Sequence, residues 1–186
     1  MGDSAQKAWA RVLAKRGNPS LPIYAMSDES AGTKAPILFT QEGLLVTPDV
    51  LCLGERQSWH EVKAKAVPAW FRIRGRWEHG FDYDLVGEYR RVQDVTSIEV
   101  WIVVYEESSP ADATRDGALE KSGVFLVLSL NDALAAGEHR PHWPGGRGTG
   151  RYGRRGKGGW LVPRDAFIAL EGPQLNQKPR ASRLEA

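Results

Sequence analysis

The sequence predicts a mixed α/β fold, a mixed β-sheet flanked by helices, on three observations. Ile98 to Tyr105 and Val124 to Leu130 are nearly unbroken apolar runs, the composition of strands buried on both faces. Two stretches, one at the N-terminus and one after Asp82, carry apolar residues at helical spacing. Between these helices lie two strand-like segments joined by Gly54-Glu55-Arg56-Gln57, a turn composition. The order α, β-hairpin, α, β, β, α requires a sheet covered by helices.

The elements follow in order. Ser4 is placed to cap a first helix whose Ala5, Ala8, Trp9, Val12 and Leu13 share a face and which Gly17 closes. Asn18 to Thr33 holds Pro, Gly, Ser and Asp and reads as irregular. Pro36 to Thr40 reads as a short strand, Glu42-Gly43 as a turn, and Leu44 to Leu53 as a longer strand that pairs with Trp59 to Lys65. Val67-Pro68 is a break. Arg72, Arg74 and Arg76 then alternate with Phe71, Ile73 and Trp77, which makes one edge basic. Asp82 caps a helix to about Val95 with Leu85, Val86, Tyr89 and Val92 inward. After the two apolar strands, Asn131-Asp132 is expected to cap a short helix ending at Ala136. Trp160 to Val162 reads as a last strand and Asp165 to Leu170 as a final helical turn or two.

At 186 residues, with 41% hydrophobic and 26% charged residues, the chain suits one globular domain, expected over 1–171 with a flexible tail at 172–186. Cys52 is the only cysteine, so no internal disulfide can form, as suits a reducing cytoplasm. No apolar run approaches the ~20 residues of a membrane span, and the first residues lack a signal-peptide pattern. A soluble intracellular protein is expected. The net charge is only +2, so a nucleic-acid partner has to be argued from local clustering. The densest cluster is the Gly/Arg-rich loop at 144–159, where Arg147, Arg151, Arg154, Arg155 and Lys157 are accompanied by no acid. Its arginines can grip phosphates while glycine lets the backbone approach, and Tyr152 can stack; otherwise it is a solvated loop. Arg72, Arg74 and Arg76 form a second candidate surface, with Trp70 and Trp77 as base-stacking candidates.

The residues that carry chemistry lie in Thr47-Pro48-Asp49-Val50-Leu51 and Trp59-His60-Glu61-Val62-Lys63. Alternate side chains of a strand share a face, so Glu61 and Lys63 point together, and Lys65 continues that face as a candidate phosphate contact. In a hairpin, Asp49 at the start of one strand meets Glu61 within the other. Two carboxylates about 4 Å apart repel by roughly 4 kcal/mol at an effective dielectric near 20, and a hard cation such as Mg²⁺ relieves that through oxygen ligands. The Val62 carbonyl offers a further oxygen. Lys63 beside such an ion can orient or deprotonate water, or steady charge growing on a phosphate. Each residue alone also has an ordinary reading: Asp49 as a turn residue, Glu61 and Lys63 as solvated alternation on a half-exposed strand. His60 points away from Glu61 and is expected packed or exposed. Glu78 and His79 before Gly80 read best as a surface turn, and His139 with His142 as no metal site.

Pro48-Asp49 with Glu61-Val62-Lys63 resembles the two halves of the PD-(D/E)XK nuclease motif, and the helix, hairpin, helix, strand order over about residues 1 to 106 resembles the restriction-endonuclease-like core of that superfamily. The resemblance implies Mg²⁺-dependent cleavage of DNA, with Mn²⁺ as a substitute. It makes Asp49 and Glu61 metal ligands with the Val62 carbonyl, and Lys63 the catalytic lysine. Many family members place a glutamate on the first helix; here the helix offers Gln6 as an accessory ligand, and Glu29 or Glu42 from loops. Small enzymes of this kind, by analogy of the junction-resolving, phage or mobile-element type, act on branched or broken DNA rather than a defined sequence, and a homodimer is the expected way to cut two strands. The alternative is a non-catalytic nucleic-acid-binding module using the Gly/Arg-rich loop, with RNA then a partner as well as DNA. A third reading is an interaction protein that uses the sheet as a scaffold.

Overall fold

A computed structural model of the chain describes residues 2–23, 36–41, 43–65, 68–71, 74–106, 123–141 and 158–171. The mixed sheet flanked by helices is present, and the structure adds a second sheet. The first helix, α1 (Gly2–Lys15), begins ahead of Ser4, which therefore lies in its first turn rather than at its cap. Its end is as expected. Gly17 adopts φ 77°, and the Gly17 and Asn18 amides return to the Ala14 and Leu13 carbonyls, both at 3.0 Å.

The main sheet runs β1 (Ser20–Pro22), β4 (Val50–Cys52), β5 (Ser58–Lys65), β8 (Glu99–Glu106), β9 (Val124–Ser129) and β12 (Ile168–Glu171), in that spatial order. Only β5 and β8 pair in parallel; the other neighbours are antiparallel. A parallel pair needs a crossover, and here it contains β6 (Ala69–Phe71), β7 (Arg76–Asp82) and α2 (Tyr83–Thr96). Asp82 caps α2 as its composition demands, with Oδ1 accepting from the Asp84 and Leu85 amides at 2.9 and 3.4 Å. β8 is apolar from Val100 to Tyr105 because both faces are covered there. Val103 and Tyr105 pack with Ala5, Ala8, Trp9, Val12 and Leu13 of α1, while Ile102 and Val104 pack under Val86, Tyr89 and Val92 of α2.

Several expectations are corrected. The strand expected over Leu44 to Leu53 is two. β3 (Gly43–Val46) pairs with β2 (Ile37–Thr40) in a separate hairpin, and β4 joins the main sheet. Pro48 lies at the division, where it has no amide to donate to a ladder. Ser20–Pro22, within a stretch read as irregular, is β1, because β4 leaves an edge for it to pair. Asp165 to Leu170 is not helical beyond a 3-10 turn at Arg164–Ala166; β12 follows and pairs with β9, whose outer edge needs a partner for its backbone groups. The short helix α3 (Leu130–Ala136) is capped by Ser129, not Asn131-Asp132: its Oγ accepts from the Asp132 amide at 3.1 Å and donates to Oδ2 of the same residue at 2.7 Å.

The largest correction is the second sheet, β10 (Glu138–Arg140), β11 (Gly159–Pro163), β7 and β6 in spatial order. Glu78, His79 and Gly80 are not a surface turn but the middle of β7, and Glu78 and His79 are buried. Phe81, Val162 and the nearby Phe167 pack into the core on the α2 side of the main sheet.

Candidate active site

The site begins with the break at Pro48. Asp49 stands just ahead of β4, where its carbonyl accepts from the Ile23 amide at 2.7 Å. Its side chain takes over where the ladder stops: Asp49 Oδ2 accepts from the Val62 amide at 3.0 Å. That bond brings the carboxylate to β5 beside Glu61. On β5, Val62 packs with the α1 cluster, so Glu61 and Lys63 face the α2 side. Lys63 Nζ makes an ion pair with Glu61 Oε1, and the Asp49 and Glu61 carboxyl groups are close enough to shift each other's proton affinity.

Two further residues complete the cluster. Gln6, near the start of α1, stands beside Asp49 and helps lower its pKa, and the Tyr89 hydroxyl of α2 stands beside Glu61, with a like effect on that carboxyl. Tyr89 was legible only as a core residue. Helical periodicity places its ring inward but does not show that its hydroxyl ends at a buried carboxylate.

Burial dominates the electrostatics. Glu61 is 2% exposed, and its pKa is raised from 4.5 to about 7, chiefly by burial; Lys63 opposes the rise and the Asp49 charge contributes to it. Asp49 is raised for the same reason, against the Val62 amide, Lys63 and Gln6. Burial works against the charge on Lys63, yet Glu61 and Asp49 together hold its pKa above the ordinary lysine value. Lys63 keeps about a third of its side chain, 35%, exposed. Tyr89 is raised well above its ordinary value by burial and by Glu61.

The donor set suits a hard cation. Two carboxylates that hold a proton between them near neutrality are a place where a divalent ion can replace that proton, and the Gln6 amide and Val62 carbonyl are oxygen donors of the same class. Among the described residues no group of three His, Cys, Asp or Glu side chains comes together, so the acidic part of the set is Asp49 and Glu61.

The other candidates are placed as follows. His60 is buried, accepting from Trp9 Nε1 at 3.0 Å and bonded to Ser58 Oγ at 2.8 Å; burial lowers its pKa to about 4. Lys65 extends the Glu61–Lys63 face, with its pKa lowered by burial and by Lys63. Arg74 and Arg76 do not form a free basic row. Arg76 Nε donates to Glu78 Oε1 at 2.7 Å; Arg74 donates to the same oxygen at 3.2 Å and is ion-paired with Glu138. Trp77 lies on β7, opposite Trp70 of β6. His139 stacks on Tyr83 with ring centroids 3.9 Å apart. Arg72, Arg147, Arg151, Arg154, Arg155, Lys157, Tyr152, Glu29, Glu42 and His142 lie outside the described residues, as do the loop over 144–157 and the tail over 172–186.

A buried network missed by the sequence reading joins the two sheets. Glu106 ends β8, fully buried, and its Oε1 is 2.7 Å from His79 Nε2 of β7. Arg164 clasps both oxygens, with Nη2 to Oε2 at 2.7 Å and Nε to Oε1 at 2.9 Å. Burial would raise the Glu106 pKa, but these hydrogen bonds and charges hold it below the ordinary value.

No family model and no curated protein matches the chain. Among solved structures, it is similar to the Holliday junction resolvase Hjc of Archaeoglobus fulgidus, an archaeal hyperthermophile, with 11% identity, a TM-score of 0.49, and coverage of 91% of this chain and 95% of that one. Among the described residues no helix is long and apolar enough to cross a membrane.

Proposed function

We propose that the protein is a divalent-metal-dependent nuclease that hydrolyses DNA phosphodiester bonds, directed by branched or broken structure rather than by sequence. One observation carries the reading: Asp49 and Lys63, both partly exposed, converge on the buried Glu61, with Asp49 aimed by the Val62 amide. The motif halves Pro48-Asp49 and Glu61-Val62-Lys63 are the sequence side of the same reading. Asp49 and Glu61 are the residues that would hold Mg²⁺ or Mn²⁺, with the Val62 carbonyl and Gln6 as accessory donors. A bound ion supplies water activation and polarisation of the scissile phosphate. Lys63, whose pKa is raised, keeps its proton at neutral pH. Beside a bound ion it would orient the attacking water or place positive charge against the phosphate as charge grows there. Two protomers acting together would cut both strands.

Supercoiled, linear and branched DNA incubated with Mg²⁺ provide the test. Asp49→Ala and Lys63→Ala should each lower cleavage by at least about 100-fold, the scale lost when a group that stabilises transition-state charge is removed. Cleavage that survives either substitution removes the assignment. The rival, a non-catalytic binding module, is favoured by the two-carboxylate donor set and the neutral Gln6. Salt-sensitive DNA binding without cutting under any divalent ion would select it.

A further inference from the structure

On β5, Glu61, Lys63 and Lys65 share one face, and the parallel register sets Lys65 beside Glu106 of β8. A buried carboxylate next to a lysine would ordinarily take that lysine as its counter-charge. Here it does not. Both Glu106 oxygens are clasped by Arg164, one of them also meets His79, and Lys65 has no ion-pair partner among the described residues. Lys63, two residues before, is paired with Glu61. Lys65 is thus an unspent cation beside the proposed active site, left so because a more distant residue satisfies the acid next to it. Arginine suits that task, since its planar fork engages both carboxylate oxygens at once.

We propose that Lys65 is a metal-independent subsite for a backbone phosphate adjoining the one to be cut, and that Arg164 and His79 keep it available by holding Glu106. The proposal rests on the nuclease reading for the word adjoining, but the subsite is defined by charge alone. The bland reading of Lys65 is a solvated surface lysine, and it predicts no effect on DNA affinity beyond that of any removed charge far from the DNA.

The experiment is equilibrium binding of a fluorescently labelled branched DNA in EDTA, where no metal bridges protein and phosphate and no cleavage intervenes, as a function of salt. Lys65→Gln should lower the slope of log affinity against log salt by about 1, the value for one lost phosphate contact, with an affinity loss on the order of tenfold at low salt. Arg164→Ala, which releases Glu106 towards Lys65, should lower the slope similarly. The double variant Arg164→Ala, Glu106→Gln should recover the parental slope. An unchanged slope in Lys65→Gln overturns the proposal. A double variant as impaired as Arg164→Ala overturns the part given to Arg164. If Arg164→Ala does not fold, Lys65→Gln, at a half-buried residue with no ion-pair partner among the described residues, decides the matter alone. Cleavage assays on Asp49→Ala test the nuclease reading separately, so either idea can fail without the other.

Discussion

At the scale of the residue, the chemistry depends on how burial shifts proton affinity. The folded protein holds a proton on Glu61 up to about pH 7, whereas the unfolded chain releases it near 4.5. Between these values the folded state binds more protons, so stability falls as pH rises through the window, and above it a buried charge remains as a cost. Glu61→Gln should therefore stabilise the metal-free protein at pH 8, by on the order of 1–3 kcal/mol after loss of the Lys63 ion pair, and change little at pH 4. Melting temperatures of both proteins across this range check it; parallel curves would contradict the assignment. The same proton competes with a cation. Mn²⁺ affinity measured by calorimetry should fall about tenfold per pH unit below pH 7, as expected for one released proton, and a flat profile from pH 6 to 8 would argue against Glu61 as a ligand. Asp49, Glu61 and Lys63 were legible because strand alternation and a proline break are local facts. Tyr89 and Glu106 were not, since their roles depend on what stands opposite them in space.

At the scale of the element, α2 shows what composition can settle. Asp82 satisfies the first free amides of the helix, so Asp82→Ala should cost about 1 kcal/mol in urea denaturation. An unchanged midpoint would mean that water or a neighbouring group replaces the cap. The helices, β5, β8 and β9 were readable because each carries its own periodicity or an unbroken apolar run. β1, β10 and β12, of three or four residues, were not. Strands that short have too few residues for a period to appear, and they exist because an edge strand offers unpaired amides and carbonyls. β7 was hidden for a different reason. Its Arg76, Glu78 and His79 look solvent-facing by residue type, but Glu78 is met by Arg76 and by Arg74 from the turn before β7, and His79 by Glu106 of β8.

At the scale of the whole molecule, Glu106 joins the main sheet to the second one through His79 and to the turn before β12 through Arg164. Its depressed pKa contributes stability above the ordinary glutamate range, lost as pH falls through the folded value. Arg164→Ala leaves the acid partly unpaired and should cost about 3–5 kcal/mol; adding Glu106→Gln should recover much of that loss. Equal destabilisation of the single and double variants, read by urea denaturation, would show that the charge is not what matters. By itself the sequence determined the α/β class, the two long helices, the buried strands and the pairing of Pro48-Asp49 with Glu61-Val62-Lys63, because periodicity, capping and proline geometry act over a few residues. Only the tertiary structure decided that β3 and β4 separate, that a second sheet covers the α2 side, and that Glu106 answers to Arg164 rather than to Lys65. Those outcomes turn on which groups, far apart in the chain, leave no buried charge or backbone amide without a partner.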